Sequence, residues 1–216
     1  INAARDHMFS IREQGVFNNT WFSDPMLLGH YPADGLALFG ADMPAVRDGD
    51  LATIHQPLDF FGANIYSGRY VHATPDGGIE KVLDRDQPLT AMGWPITPEA
   101  LYWAPRFFHE RYGLPIVITE NGMANVDRLE NGTIDDQQRI DFLQSYLQHY
   151  ARAIAEGVPA QGYFLWSVMD NFEWAEGYSK RFGLIHMDYT SQRRTLKGSA
   201  QWYREVIAAN GGNLGP

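Results

Sequence analysis

The stretch from Leu114 to Gly122 constrains the fold of this chain more than any other. Pro115 begins it, the β-branched residues 116–118 predict a short strand that is apolar on both faces, and Asn121-Gly122 predicts the turn that ends the strand. Glu120 therefore lies at the carboxyl end of a predicted buried strand. In α/β folds, catalytic groups collect at that end because the loops there vary while the strands stay packed. Taken alone, the placement also fits a solvated turn residue.

Strands and helices alternate along the rest of the chain. Two more β-rich runs, at 58–67 and 160–167, are predicted as strands, the second of them buried. Helices are predicted around them at 97–113, where the sequence leaves open whether Pro105 interrupts the helix, at 140–154 and at 200–207. Crossover helices imply parallel strands. Three parallel strands leave both edges of a sheet unpaired, so the sequence predicts only part of a larger α/β fold.

Outside these elements the sequence predicts smaller features. They are a first helix through Ala4, Met8 and Ile11 that ends at Gly15, a packed loop at 17–32 with one helical turn from Pro25 to Leu28, a surface helix within 33–57, a turn at Thr74 to Gly78 between two extended pieces, and a polar loop at 123–133.

Composition narrows the class of function. The 44% apolar and 13% aromatic content fits a folded core, and 6 Trp, 11 Tyr and 12 Phe would also suit stacking against sugar rings. A net charge of -9 disfavours nucleic acid and anionic membranes as partners. Without Cys there is no thiolate metal site, and the seven His show no pair at ligand spacing, so no metal site is predicted.

The sequence also gives an expectation about location. No apolar run approaches the ~20 residues that span a bilayer, so we expect a soluble protein. We expect it to be cytoplasmic. Secretion is left open, because the chain begins at Ile1 inside a predicted helix, so we expect its natural amino terminus to be lost and the absence of a signal-peptide pattern to be uninformative.

Six segments carry a resemblance to a known family. They are, in chain order, 21–25 with 29–32 (WFSDP and GHYP), 59–66 (DFFGANIY), 93–98 (GWPITP), 118–122 (ITENG), 166–174 (WSVMDNFEW) and 177–184 (GYSKRFGL). Together they resemble the retaining β-glycosidases of glycoside hydrolase family 1. The resemblance implies an α/β fold, the (β/α)8 barrel, of which residues 1–216 would supply about strands six to eight of a single catalytic domain with no internal boundary.

The resemblance implies a catalytic role for Glu120. It would be the nucleophile that attacks the anomeric carbon, and Tyr66 would donate a hydrogen bond to its carboxylate. Asn64 would lie beside the same site. Asn64 and Tyr66 are two residues apart, so on a strand they point to the same face. By themselves they fit a satisfied polar pair equally well.

The resemblance also implies a set of sugar-binding residues. Glu173 and Trp174 would bind hydroxyls of the terminal sugar, and Trp166 would form a platform under its apolar face. Phe182 would shape the pocket near the primary hydroxyl, and Trp94 would line the aglycone side. Without the resemblance, each of these aromatic residues fits a core position.

The chain departs from the family pattern at the catalytic acid. A retaining enzyme needs two carboxyl groups about 5–5.5 Å apart. Glu173 is a candidate for the second role, but the family takes its acid from an Asn-Glu-Pro segment after the fourth strand, and no such segment occurs here. The family's Gln on the first strand and His-Trp pair on the third are missing as well.

These departures lead to the predicted function and partners. We expect hydrolysis of terminal β-D-glucosyl residues from β-glucosides with retention, in partnership with an amino-terminal fragment of the same enzyme that supplies the acid. No cofactor, nucleic acid or membrane partner is expected, and the sequence leaves a homo-oligomer open. The alternative is a catalytically silent carbohydrate-binding or structural piece of the same fold.

Overall fold

The structure, a computed structural model, describes residues 1–14, 18–82 and 85–215. Within these ranges the helices are α1 (Asn2–Phe9), α2 (Ile11–Gln14), α3 (Asn19–Leu27), α4 (Ala33–Phe39), α5 (Asp50–Ile54), α6 (Ala100–Tyr112), α7 (Gln137–Ala155) and α8 (Gly198–Ala208), with short 3-10 turns at Gly40–Asp42 and Trp174–Glu176. The strands are β1 (Phe61–Asn64), β2 (Val71–Ala73), β3 (Ile79–Lys81), β4 (Ile116–Asn121), β5 (Ala160–Leu165), β6 (Ile185–Met187) and β7 (Arg194–Leu196).

The central sheet has the strand order β1-β4-β5, with both pairings parallel. This confirms the parallel arrangement predicted from the alternation of strands and helices. Strand β4 is the middle strand, and its first three residues, Ile116 to Ile118, are at most 8% exposed. Strand β5 has two exposed and four partly exposed residues, so the prediction of a buried strand is wrong. It has a hydrogen-bonded neighbour on one side only among the described strands.

One face of the central sheet is covered by helix α7. Tyr150 on this helix donates to the carbonyl of Gly162 in β5 at 2.9 Å, and Leu147 packs with Val206 of α8 beside Tyr163. Residues on the other face of the sheet, such as Gly62, Asn64, Thr119 and Phe164, are exposed. The sheet therefore has one helix-covered face and one open face.

Several local predictions need correction. The first helix is divided at Ser10, and both Gly15 and residue 17 lie outside the described residues. The predicted loop at 17–32 contains the nine-residue helix α3, because the Asn18 side chain accepts from the Thr20 amide at 2.7 Å and caps it. Two short helices and a 3-10 turn replace the single helix predicted within 33–57.

Other predictions are settled by the geometry of single elements. Helix α6 is continuous and contains Pro105. The turn at Thr74 to Gly78 joins the antiparallel pair β2-β3, as predicted. The antiparallel pair β6-β7 was not predicted. Strand β4 runs through Asn121 rather than ending in a turn there.

The chain divides into two compact units. One consists of residues 1–60, 69–84 and 110–114, and the other of 61–68, 85–109 and 115–216. In the first unit, Asp24 is fully buried and accepts hydrogen bonds from Arg111 and Tyr112. The second unit contains the central sheet and every residue predicted for the active site. That residues 1–216 form part of one catalytic domain remains a prediction.

Candidate active site

Glu120 lies at the carboxyl end of the central strand, paired with a phenol from the neighbouring chain segment. The Tyr66 hydroxyl donates to Glu120 Oε2 at 2.7 Å, and both side chains are partly buried. Parallel pairing of β1 with β4 makes this contact possible, because the two carboxyl ends lie side by side. The structure therefore brings together the two residues predicted for the nucleophile and its hydrogen bond.

The backbone around Glu120 is fixed by hydrogen bonds across the strand ends. The Ile65 amide donates to the Glu120 carbonyl at 2.9 Å. The buried Asn121 side chain donates to the Ile65 carbonyl at 2.8 Å and accepts from the Tyr163 hydroxyl at 2.7 Å. Asn64, predicted beside the site, is opposite Glu120 in the strand register and accepts from the Thr119 hydroxyl at 2.6 Å.

The surroundings of Tyr66 keep its hydroxyl group protonated. Burial raises the pKa of Tyr66 well above its ordinary value, and the hydrogen bond to Glu120 and the negative charges of Glu120 and Glu173 raise it further. The phenol therefore remains a donor at neutral pH. Tyr66 can stabilise a negative charge on Glu120 and cannot act as a base there.

Two predicted aromatic residues surround Tyr66. Its ring lies 5.2 Å from the ring of Trp94 and 6.2 Å from that of Phe182, and the latter two are 6.1 Å apart. Phe182 is 2% exposed, whereas Trp94 is partly exposed. These contacts bring together one residue from each of three separated sequence motifs, with the Tyr66 phenol between the other two.

The loop after β5 approaches the end of β4 through its backbone. The Trp166 amide donates to the Asn121 carbonyl at 2.8 Å, and the peptide bond between Trp166 and Ser167 is cis. A Cβ atom at Gly122 would lie 1.9 Å from the Trp166 carbonyl oxygen. Only glycine fits at this crossing, so Gly122 is needed for the approach of the two loops.

Glu173 and Trp174 lie further along the same loop. The Glu173 amide donates to the Gly177 carbonyl at 2.7 Å, which closes the turn. Glu173 Oε2 is buried and has no hydrogen-bond partner among the described residues. Trp174 is 82% exposed. The loop therefore presents one buried carboxylate oxygen that has no hydrogen-bond donor among the described residues, and one exposed indole ring.

Sequence reasoning missed the side chains that fix this framework. The sequence indicates Asn121 only as a turn former, whereas its side-chain amide connects β4 to the segment after β1 and to β5. Arg139 and Lys197 are also buried, at 1% each. For Arg139 a signal existed, because it is four residues before the apolar Leu143 and so lies on the buried face of the helix. No comparable pattern marks Lys197.

Comparisons with known proteins identify the family of this chain. The family model described as glycosyl hydrolase family 1 matches residues 2–212. The chain belongs to glycosyl hydrolase family 1. Family 1 relatives include "Beta-glucosidase A" of Thermotoga maritima, 44% identical over 94% of this chain and 46% of that protein, and a "Bifunctional beta-D-glucosidase/beta-D-fucosidase" of Bifidobacterium breve, 43% identical over 96% of this chain and 50% of that protein.

Solved structures of family 1 members match the fold. The Thermotoga maritima β-glucosidase in complex with glucoimidazole has a TM-score of 0.83 and 44% identity, covering 93% of this chain and 46% of that one. The chain spans about half the length of the curated relatives it matches. The fold is that of the carboxyl-terminal part of the family 1 (β/α)8 barrel, which confirms the predicted fold class. Of the helices that the structure describes, none is long and apolar enough to cross a membrane.

Proposed function

We propose that this chain is the nucleophile-bearing part of a retaining β-glycosidase that hydrolyses terminal, non-reducing β-D-glucosyl residues. Cellobiose and aryl or alkyl β-glucosides are the substrates we infer. The single observation that carries the proposal is the 2.7 Å hydrogen bond from Tyr66 to Glu120 at the carboxyl end of the central parallel strand. Both family 1 relatives are named as β-glucosidases, one of them also as a β-fucosidase, and these names support a β-glucoside as a substrate.

The reaction proceeds by two displacements at the anomeric carbon. A Glu120 carboxylate oxygen attacks that carbon and forms an ester with the sugar, while the bond to the aglycone oxygen breaks and that oxygen takes a proton from an acid. Water then attacks the same carbon and gives its proton to the conjugate base, and Glu120 leaves as a carboxylate. Tyr66 donates to Glu120 while it is anionic, which stabilises the states before attack and after release.

The sugar is held by groups of the loop after β5. Glu173 accepts hydrogen bonds from two sugar hydroxyls, and its buried Oε2, which has no hydrogen-bond partner in the part of the chain that the structure describes, is suited to one of them. Trp174 donates its indole N–H to a hydroxyl, and Trp166 lies under the apolar face of the ring. Phe182 shapes the pocket near the primary hydroxyl.

Two further residues have roles at the edges of the site. Trp94 lines the aglycone side, next to Tyr66 in the aromatic group. Asn64 lies beside the nucleophile on the neighbouring strand and orients Thr119, which precedes Glu120.

The acid is supplied by a partner. We infer that an amino-terminal segment with the remaining strands of the barrel carries it. Both edge strands, β1 and β5, have one described hydrogen-bonded neighbour each, and Phe164 on the open face of the sheet is 62% exposed. Additional parallel strands would pair these edges and cover that face.

The partner is tested by completing the barrel. The chain is produced alone and together with the amino-terminal half of the Thermotoga maritima β-glucosidase A, a combination called the completed enzyme below. We expect an aryl β-glucoside to be cleaved by the completed enzyme and not by either part. A chain that is active by itself as a monomer would contradict the inferred partner.

The role of Glu120 is tested by trapping the intermediate. A 2-deoxy-2-fluoro-β-glucoside with a good leaving group should add one fluoroglucosyl unit to the completed enzyme, and peptide mass spectrometry should find it on Glu120. Glu130→Gln, at an exposed carboxylate of the following loop, should be labelled like the parent. A label on Glu173 would reject the assignment. Sugar binding without any label or turnover would favour the silent carbohydrate-binding alternative.

A further inference from the structure

A group of six charged side chains lies behind the loops of the candidate site. Five of them are at most 1% exposed, and the sixth, Arg181, is 22% exposed. We call this group the buried charge cluster, and its members are Asp127, Asp136, Arg139, Asp170, Arg181 and Lys197. Three are anionic and three cationic, so the formal charge is balanced.

Asp170 connects the two ends of the loop after β5. One carboxylate oxygen accepts from Lys197 Nζ at 2.7 Å and from the Gly183 amide at 3.0 Å. The other accepts from Arg181 at 2.7 Å and from the Met187 amide at 3.3 Å. Asp170 is three residues before Glu173, and Arg181 directly precedes Phe182. The carboxylate therefore closes the segment that contains Glu173 and Trp174.

Arg139 and Lys197 extend these contacts to the loop after β4. Arg139 donates to Asp127 at 2.9 and 3.2 Å and to the Arg181 carbonyl at 2.7 Å. Lys197 donates to Asp127 as well as to Asp170. Since Asp127 is seven residues beyond Glu120, the cluster joins the loop after the nucleophile strand to the loop that carries Glu173.

The cost of burying these charges argues for a role beyond stability. Removing ions from water costs several kcal/mol per ion, and apolar side chains of similar size often stabilise a fold as well or better. Ion pairs are directional, however, and define one arrangement of the segments they join. The loop is packed so closely that its segments need one fixed arrangement. A Cβ atom at Gly183, for example, would lie 2.1 Å from the Asp170 amide nitrogen.

We propose that the buried charge cluster positions the loop after β5, with Asp170 and Lys197 as positioning residues that set the affinity of the site for the sugar. This deepens the proposed function and rests on it for the sugar. The cluster acts through Glu173 and Phe182, which it holds against the loop that follows Glu120. Its members do not contact substrate.

The test first measures loop order without turnover. Asp170→Asn combined with Lys197→Met removes one charge of each sign, so the cluster stays balanced. Hydrogen exchange is followed in peptide 171–180, which contains none of the amides bonded to Asp170. We expect exchange to become about tenfold faster there, with β4 exchanging as in the parent. Arg111→Met, which breaks the contact with buried Asp24 in the other compact unit, should leave peptide 171–180 unchanged.

The second measurement is sugar binding by the completed enzyme. We expect the double variant to bind glucoimidazole about tenfold more weakly, the scale of one lost hydrogen bond to a charged group, and its KM to rise while kcat changes less than about twofold. Arg181 Nη1 donates to both Asp170 and the Met187 carbonyl. Arg181→Lys keeps the charge on a shorter side chain, which weakens this pair of bonds, and should shift exchange in the same direction by less. If the double variant loses protection in β4 as well, Arg181→Lys replaces it as the variant that tests the proposal.

Each outcome supports or rejects the proposal. Parent-like exchange in peptide 171–180 for both the double variant and Arg181→Lys would overturn it, as would equal acceleration by Arg111→Met. Unchanged glucoimidazole affinity with an accelerated loop would overturn its link to the sugar. A parent completed enzyme that binds no glucoside would instead contradict the proposed function, and the exchange result would still decide whether the cluster positions the loop.

Discussion

The two sides of the candidate site are held by different forces. On one side, Tyr66 follows β1 and Glu120 lies near the carboxyl end of the adjacent β4, and the Ile65 amide donates to the Glu120 carbonyl at 2.9 Å in continuation of the sheet. On the other side, Glu173 and Trp174 lie on a long loop whose ends are joined by buried ion pairs. We call the first side the strand side and the second the loop side.

This difference fits the tasks proposed for each side. A nucleophile must lie within a fraction of an ångström of the reacting carbon, and positions on strands are more precise than positions on loops. Sugar hydroxyls can be bound by side chains that adjust their position, and Trp174, which is 82% exposed, has room to adjust. We therefore expect changes on the strand side to reduce the rate of reaction and changes on the loop side to alter binding and stability.

The largest effect is expected from Glu120→Gln. The amide keeps the shape of the side chain but cannot form the ester with the sugar, so kcat of the completed enzyme on an aryl β-glucoside should fall by about four orders of magnitude or more. Binding of glucoimidazole should remain measurable. If kcat fell by less than tenfold, Glu120 would not be the nucleophile, and the strand side would not differ from the loop side in its effect on the rate.

Gly183→Ala examines how tightly the loop side is packed. The new methyl group would lie 2.1 Å from the Asp170 amide nitrogen and 2.3 Å from the Met169 carbonyl carbon. Such overpacking destabilises by about 1–3 kcal/mol or more, which thermal denaturation would register. At Gly162 the nearest atom would be 3.4 Å away, so Gly162→Ala is the matched control. Equal melting temperatures for the two variants would contradict the close contact.

Tyr66→Phe examines the strand side by removing one hydrogen bond. Loss of a donor to a charged carboxylate costs about 1.5–3 kcal/mol, so kcat/KM of the completed enzyme should fall roughly tenfold to a hundredfold. Because the pKa of Tyr66 is raised, the phenol is protonated at both pH 6 and pH 9, and the fold reduction should be the same at both. Tyr150→Phe, which removes a hydroxyl bonded to the Gly162 carbonyl, should change activity little.

The smallest effect is expected in the acid dependence of stability on the loop side. Burial raises the pKa of Asp170, but the positive charges and hydrogen bonds of Lys197 and Arg181 outweigh it, so the pKa is lowered overall. A lowered pKa gives stability that is present above the unfolded value near ~3.9 and is lost as pH falls below it. The gap in melting temperature between the parent and Asp170→Asn should therefore narrow from pH 6 to pH 3. A constant gap would contradict this.

Much of the strand side could be predicted from the sequence. The β-branched run at 116–118 and the alternation with helices predict parallel strands whose carboxyl ends meet, because side-chain period and crossover geometry are local properties of the chain. The six ordered motifs led to the family, which the comparisons confirm. The pairing of Tyr66 with Glu120 followed from the family resemblance.

The loop side was decided by the tertiary structure. Asp127, Asp170 and Lys197 are far apart in sequence, and no periodicity marks a residue whose partner is 27 or 70 positions away. The sequence predicted only a polar loop at 123–133, and nothing in it indicated that the Asp127 side chain is fully buried. Burial of a charge becomes favourable only when its partners arrive together, and chain packing alone brings them there.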